Sequence, residues 1–162
     1  TTPALTALIE ADCFSAITVM IQREVALRIC AAPGTADYGA FSVYCQYHTD
    51  PELLFDVPPD CFLPAPKVTS SVIRLVPRGV PPVPVADEKR FFQVVKASFA
   101  QRRKTLLNGL SSAYGSRLDK EALREVITSC GLSADVRGER LGIPEFAAVA
   151  ARLGELLANG TD

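Results

Sequence analysis

Prolines are spread so unevenly along this chain that they divide it before any other feature is weighed. Eight of the twelve fall in two clusters, Pro58–Pro66 and Pro77–Pro84, on either side of the apolar run Val68–Val76. Proline fixes φ, lacks an N–H donor and pushes its predecessor toward extended geometry, so neither cluster can be helix. The first, VPPDCFLPAPKVTSSVIRL (57–75), reads as a stiff wall around a single aromatic, Phe62, that turns without a break into a strand. A rigid aromatic beside a strand end suits a flat π ligand such as a nucleobase. The residues also permit a plain reading, with Phe62 tucked into the core beneath a Pro-rich surface connection. The second cluster, PRGVPPVPVA (77–86), is a linker by composition and sets the domain boundary.

Before the wall the pattern alternates helix and strand. Thr1-Thr2-Pro3 suits a helix entry, with Thr2 as cap, Leu5, Leu8 and Ile9 on one face and an end near Asp12. Phe14–Ile21 is a continuous apolar run, which predicts a strand buried on both faces as in a parallel sheet. Gln22-Arg23-Glu24 opens a helix that Pro33-Gly34 stops, and Phe41–Tyr47 forms another whose aromatics are best read as core. Glu52–Val57 resumes as a strand, expected to lie antiparallel to Val68–Val76 because the connection is short. Beyond the linker everything is helical. Asp87 caps a helix with Phe91, Phe92, Val95 and Phe99 inside; LLNGL runs on to Tyr114; Asp119–Cys130 closes at Gly131; and the last helix starts at Pro144. The expected fold class is therefore α/β followed by all-α.

Charge and cysteine content narrow the function classes. Residues 1–86 carry five Lys/Arg against eight Asp/Glu, and residues 87–162 twelve against ten, so the helical part is the one suited to a polyanion. Arg102-Arg103-Lys104, with Lys96 and Arg90 six and twelve residues upstream of Arg102, would make one edge of the helical part basic. Such a cluster is either a solvated helix face or a phosphate grip. Five cysteines without CxxC spacing and a single histidine, His48, support neither a disulfide framework nor a metal site, so a reducing, cytoplasmic setting is expected. No run reaches the roughly eighteen apolar residues of a membrane span, and no membrane or metal partner is expected.

The order QREVA, DYGAFSV, LFDVPPDCFLPAPKVTSSVIRL, FFQVVKASFAQRRKTLLNGL and RGERLGIPEF resembles the bacterial small-subunit rRNA adenine N6,N6-dimethyltransferases, a family shared with the erythromycin-resistance rRNA methyltransferases. The likeness runs in order over essentially the whole chain, and its long blocks, 54–75 and 91–110, are far more specific than a short motif. It implies that residues 1–76 are the C-terminal part of a Rossmann-like methyltransferase domain, 77–86 a linker, and 87–162 a helical rRNA-binding domain. The family's Gly-rich turn and ribose-binding acid, which hold S-adenosylmethionine, have no counterpart here. Neither does its Asn-Leu-Pro-Tyr-type segment, which grips the target amine and is expected upstream of Thr1. The chain is thus expected to be the C-terminal portion of such an enzyme, inactive by itself, with no catalytic or cofactor-binding residue of its own.

The resemblance also assigns roles. An adenine N6 amine is a poor nucleophile, and the family's amine-gripping segment would make its lone pair available by placement rather than by a strong base. The base must be drawn out of its RNA surroundings and held by stacking. By the family's F-x-P-x-P-K-V-x-S pattern, Phe62 stacks on the adenine; Pro64 and Pro66 would keep the wall stiff, and Lys67 is either a phosphate contact or a solvated charge at the strand end. Lys96, Arg102, Arg103 and Lys104 would contact rRNA. The implied methyl donor is S-adenosylmethionine and the implied partner a pre-ribosomal small subunit, met by a monomer. Two other readings stand beside this one: a non-catalytic rRNA-binding or assembly module, and a resistance-type enzyme acting on large-subunit rRNA.

Overall fold

A computed structural model describes residues 2–160 and divides the chain into two compact units. Thr1, the residue before which the amine-gripping segment is expected, lies outside the described residues. The first unit comprises residues up to Ala32 together with Ala36–Pro82, and the second Pro33–Thr35 with the residues from Val83 onward.

In the first unit, α1 (Thr2–Glu10), β1 (Ile17–Gln22), α2 (Arg23–Ile29), α3 (Ala40–His48), β2 (Thr49–Val57) and β3 (Ser70–Pro77) follow one another in that order. The sheet runs β1-β3-β2, with both pairings antiparallel. Strand β3 takes the centre because it alternates cleanly: Ser71, Ile73 and Leu75 are fully buried while Arg74 and Val76 are exposed. The three helices pack on that buried face. Leu5, Ala26, Ile29 and Cys45 close over Ile17, Ile21, Ile73 and Leu75. Each fully buried Ile or Leu there contributes about 1.5–3 kcal/mol.

Strand β1 departs from the expectation of a parallel strand buried on both sides. Among the described residues it is an edge strand, antiparallel to β3, with Ile17 and Ile21 inward and Met20 half exposed. An unbroken apolar run does not distinguish a strand covered on both faces from one covered on a single face, because Thr18 and Met20 satisfy both patterns. Strand β2 is the other edge, which is why it tolerates Pro51 within the ladder. It carries a bulge between Leu53 and Phe55.

The second unit is helical: α4 (Glu88–Phe99), α5 (Leu106–Tyr114), α6 (Lys120–Ser129) and α7 (Ile143–Asn159). Side chains satisfy the N-terminal N–H groups of the first three. Asp87 accepts from Arg90 N, Thr105 from Asn108 N and Asp119 from Ala122 N. Glu145 reaches back to Gly142 N at 3.1 Å at the start of α7. Phe91, Leu106, Leu110, Leu123, Phe146 and Leu153 are fully buried between the helices. Gly131 takes a positive φ of 78°, as expected for a helix-ending glycine. Pro33–Thr35 belong to this unit as well. Gly34, which follows the end of α2, sits at φ 83° and donates its N–H to Glu139 O at 2.7 Å, pinning this segment to the Gly138–Arg140 turn.

Candidate nucleic-acid interface

Two segments carry the residues singled out in the sequence, one in each unit. The first is the loop 58–69, closed at its base by the last rung of the β2–β3 ladder, Val57 opposite Ser70. Within it Pro59–Cys61 form one 3₁₀ turn, with Cys61 N donating to Pro58 O at 3.1 Å and Phe62 N to Pro59 O at 3.2 Å. Phe62 ends that turn in extended geometry, φ −119°, ψ 154°. The Leu63–Pro64 peptide is cis. Phe62 is half-buried, whereas Leu63 is fully exposed and Pro64, Pro66 and Lys67 are exposed. The loop thus brings Phe62, Pro64 and Lys67 onto one short segment, with the aromatic ring neither lost in the core nor loose in solvent.

Asp56 reinforces the base of this loop, and sequence reading missed it. In a regular strand Leu53 and Phe55 would share the inward face and Asp56 would point to solvent. The bulge shifts the register, so that Phe55 faces outward at 56% exposure and Asp56 lies opposite buried Ser71. Asp56 Oδ1 accepts from Ser71 Oγ at 2.6 Å and Oδ2 accepts from Arg23 Nε at 3.1 Å. The Ser71 hydrogen bond, with the Arg23 guanidinium, holds the Asp56 carboxyl below the usual carboxylate value even though partial desolvation opposes it. Arg23 N also donates to Thr69 O at 3.0 Å, so both ends of the wall are tied to the start of α2. The only available signal was the apolar pair Leu54-Phe55, which breaks the alternation of this strand.

The second segment is the turn 100–105 between α4 and α5. Its entry is held by two close backbone approaches. A Cβ at Gly109 would lie 2.5 Å from Ala97 O, and one at Gly138 would lie 2.7 Å from Ser98 Cβ and 2.8 Å from Ser98 O. Its exit is held by the Thr105 cap and by Leu106 N donating to Val136 O at 2.8 Å. Between these anchors Lys104 N closes a turn on Gln101 O at 2.9 Å, and Arg102, Arg103 and Lys104 all stand exposed. Lys96 is exposed one turn before the end of α4. Arg90 does not extend this basic edge. It packs against α7, where a Cβ at Gly154 would meet its Nη1 at 2.8 Å, and its Nε is buried with no hydrogen bond among the described residues.

Both segments fall within the residues that a family model matches. The family model described as ribosomal RNA adenine dimethylase covers residues 1–137. The chain belongs to the ribosomal RNA adenine dimethylase family.

Relatives within the family include proteins named ribosomal RNA small subunit methyltransferase A. That of Lachnoclostridium phytofermentans is 46% identical over 151 residues, 93% of this chain and 52% of the relative. That of Bacillus cytotoxicus is 50% identical over 149 residues, 91% and 51% respectively. The chain therefore spans about half the length of the curated relatives it matches. Among solved structures, a dimethyladenosine transferase from Plasmodium falciparum superposes with a TM-score of 0.77 at 19% identity, covering 96% of this chain and 63% of that one. The 23S rRNA methyltransferase ErmE gives 0.65 at 21%, covering 94% and 61%. These two establish the fold.

The described residues do not fit S-adenosylmethionine, the donor the family implies. A nucleoside of that kind needs a glycine turn at a strand end so that backbone can approach it. Here β1 passes directly into α2 at Arg23, β2 into the proline wall and β3 into Pro77-Arg78. The positive-φ glycines, Gly34 and Gly131, follow helices. No cluster of three or more metal-ligating side chains occurs among the described residues, and no described helix is long and apolar enough to cross a membrane.

Proposed function

We propose that this chain supplies the base-stacking and RNA-gripping surfaces of an adenine N6,N6-dimethyltransferase that modifies small-subunit rRNA. The observation that carries the reading is Phe62: a half-buried ring on a proline loop whose base is closed by Val57–Ser70 pairing and by the Arg23–Asp56–Ser71 contacts. A ring fixed in that way offers one face to a base withdrawn from its helix. Pro64 keeps the far wall stiff, and Lys67 stands at the loop's exit as a phosphate partner. Lys96, Arg102, Arg103 and Lys104 add sequence-independent phosphate contacts from the helical unit. S-adenosylmethionine is the proposed donor, held by other parts of the enzyme, and the pre-ribosomal small subunit is the proposed partner of a cytoplasmic, monomeric protein. Relatives named for small-subunit rRNA favour this over the large-subunit reading.

The test is methylation of small-subunit precursor particles by the complete enzyme. Phe62→Leu should lower turnover by one to two orders of magnitude, since stacking is worth about 1–3 kcal/mol and misplacing the amine adds to the loss. Phe62→Tyr should retain most activity. A Phe62→Leu enzyme with wild-type turnover would remove the stacking role.

A further inference from the structure

Beside the basic turn lies a cleft of about 530 Å³ between α4 and α5, and none of its lining residues is acidic. Lys96 of α4 and Arg117, just past α5, are its charges, and both are exposed. The floor is made by small residues, Ala97, Ala100, Gly109 and Ala113. It is shallow because α5 touches the α4 backbone at Gly109, where a Cβ would lie 2.5 Å from Ala97 O. Arg117 is set by its own turn, Arg117 N donating to Tyr114 O at 2.9 Å. Ser112 lines both this cleft and the next depression, where it is joined by Gln101, Lys104, Asn108 and Ser111. That depression also lacks a carboxylate, and Ser111 Oγ is buried there with no hydrogen bond among the described residues. Other depressions of the helical unit differ in sign: one is lined by Asp119, Glu121 and Glu125, another contains Asp87 and Glu155 beside Arg90.

We propose that this acid-free channel, from Arg117 past Lys96 to Lys104, seats the ribose-phosphate backbone of an RNA strand. Lys96 and Arg117 face phosphates across the cleft, Ser112 meets a ribose 2′-hydroxyl where the two depressions adjoin, and Asn108 meets another beside Lys104. The inference rests on the reading of the helical unit as RNA-binding and adds the track the strand follows. Exposed cations across a shallow apolar floor suit a backbone that brings charge at regular intervals and little depth. Side-chain amides and hydroxyls are the groups that can tell a ribose from a deoxyribose.

The experiment titrates the 162-residue chain with a labelled RNA hairpin bearing adenines in its loop, and with DNA of the same sequence, across a salt series. Lys96→Gln with Arg117→Gln should weaken RNA binding tenfold or more at low salt and flatten the log–log salt slope by about 0.7 for each phosphate no longer neutralised. Lys89→Gln with Lys120→Gln removes the same charge from exposed positions outside the channel and should leave the slope near wild type. Asn108→Ala should keep the slope and narrow the preference for RNA over DNA. Equal slopes for the two double variants, or an unchanged RNA preference in Asn108→Ala, would overturn the channel while leaving RNA binding by this unit intact. A wild-type chain that binds no RNA at all would overturn both.

Discussion

At Asp56 one carboxylate joins three separate pieces of chain: the end of β2, the middle strand through Ser71, and the first turn of α2 through Arg23. Both Asp56 and Arg23 are about half exposed, so the ion pair contributes little stability by itself and its value lies in fixing the base of the Phe62 loop. Its pH dependence follows from the lowered pKa. A carboxyl whose folded value lies below its unfolded one stabilises the fold above the unfolded value and loses that contribution as pH falls through the folded one. Asp56→Asn should therefore lower the melting temperature at neutral pH, and the gap to wild type should close under acid conditions below about pH 4. A gap of constant size from neutral to acid pH would show that Asp56 acts through shape rather than charge. Burial, by contrast, pushes the Cys45 thiol up to about 12, so this cysteine is an inert member of the core.

At the scale of elements, the turn between α4 and α5 is the clearest case of backbone packing that decides what a surface can do. Gly109 and Gly138 let two other segments press on the last turn of α4, which fixes where the six residues that follow begin. Gly109→Ala should destabilise the helical unit by about 1–3 kcal/mol, because the obstacle is backbone and not a side chain that can swing away. Thermal denaturation reads this directly, and an unchanged melting point would mean that the helices can separate without cost. Replacing Arg102, Arg103 and Lys104 together by Ala should flatten the salt dependence of RNA binding by about 0.7 for each phosphate no longer gripped. A lowered melting point with an unchanged slope would make them partners of neighbouring carboxylates instead. The helices of this unit were legible in the sequence because Asp87 and Asp119 cap where they stand before apolar stripes. The first unit's sheet was less legible. The bulge in β2 and the antiparallel pairing of β1 depend on which partner strand is present, and local apolar runs do not encode that.

At the scale of the whole molecule, an α/β unit and a helical unit each carry one of the surfaces proposed to meet RNA: the Phe62 ring in the first, exposed cations in the second. The proline wall was visible in the sequence because proline acts locally, on φ and on its own predecessor. Phe62's half-buried state was not, since it depends on how the loop is closed by β2 and β3. The acid-free channel went unseen for a similar reason: Lys96 and Arg117 are distant in sequence and come to line one cleft only because α4 and α5 pack at Gly109. Whether Phe62 holds an adenine by its face is read by a binding cycle that does not depend on turnover. Wild type and Phe62→Ala are each titrated with a hairpin carrying an adenine at the target position and with the same hairpin abasic there. Phe62→Ala should weaken binding of the adenine hairpin by about 1–3 kcal/mol and leave that of the abasic one unchanged. Equal losses on both hairpins would contradict it.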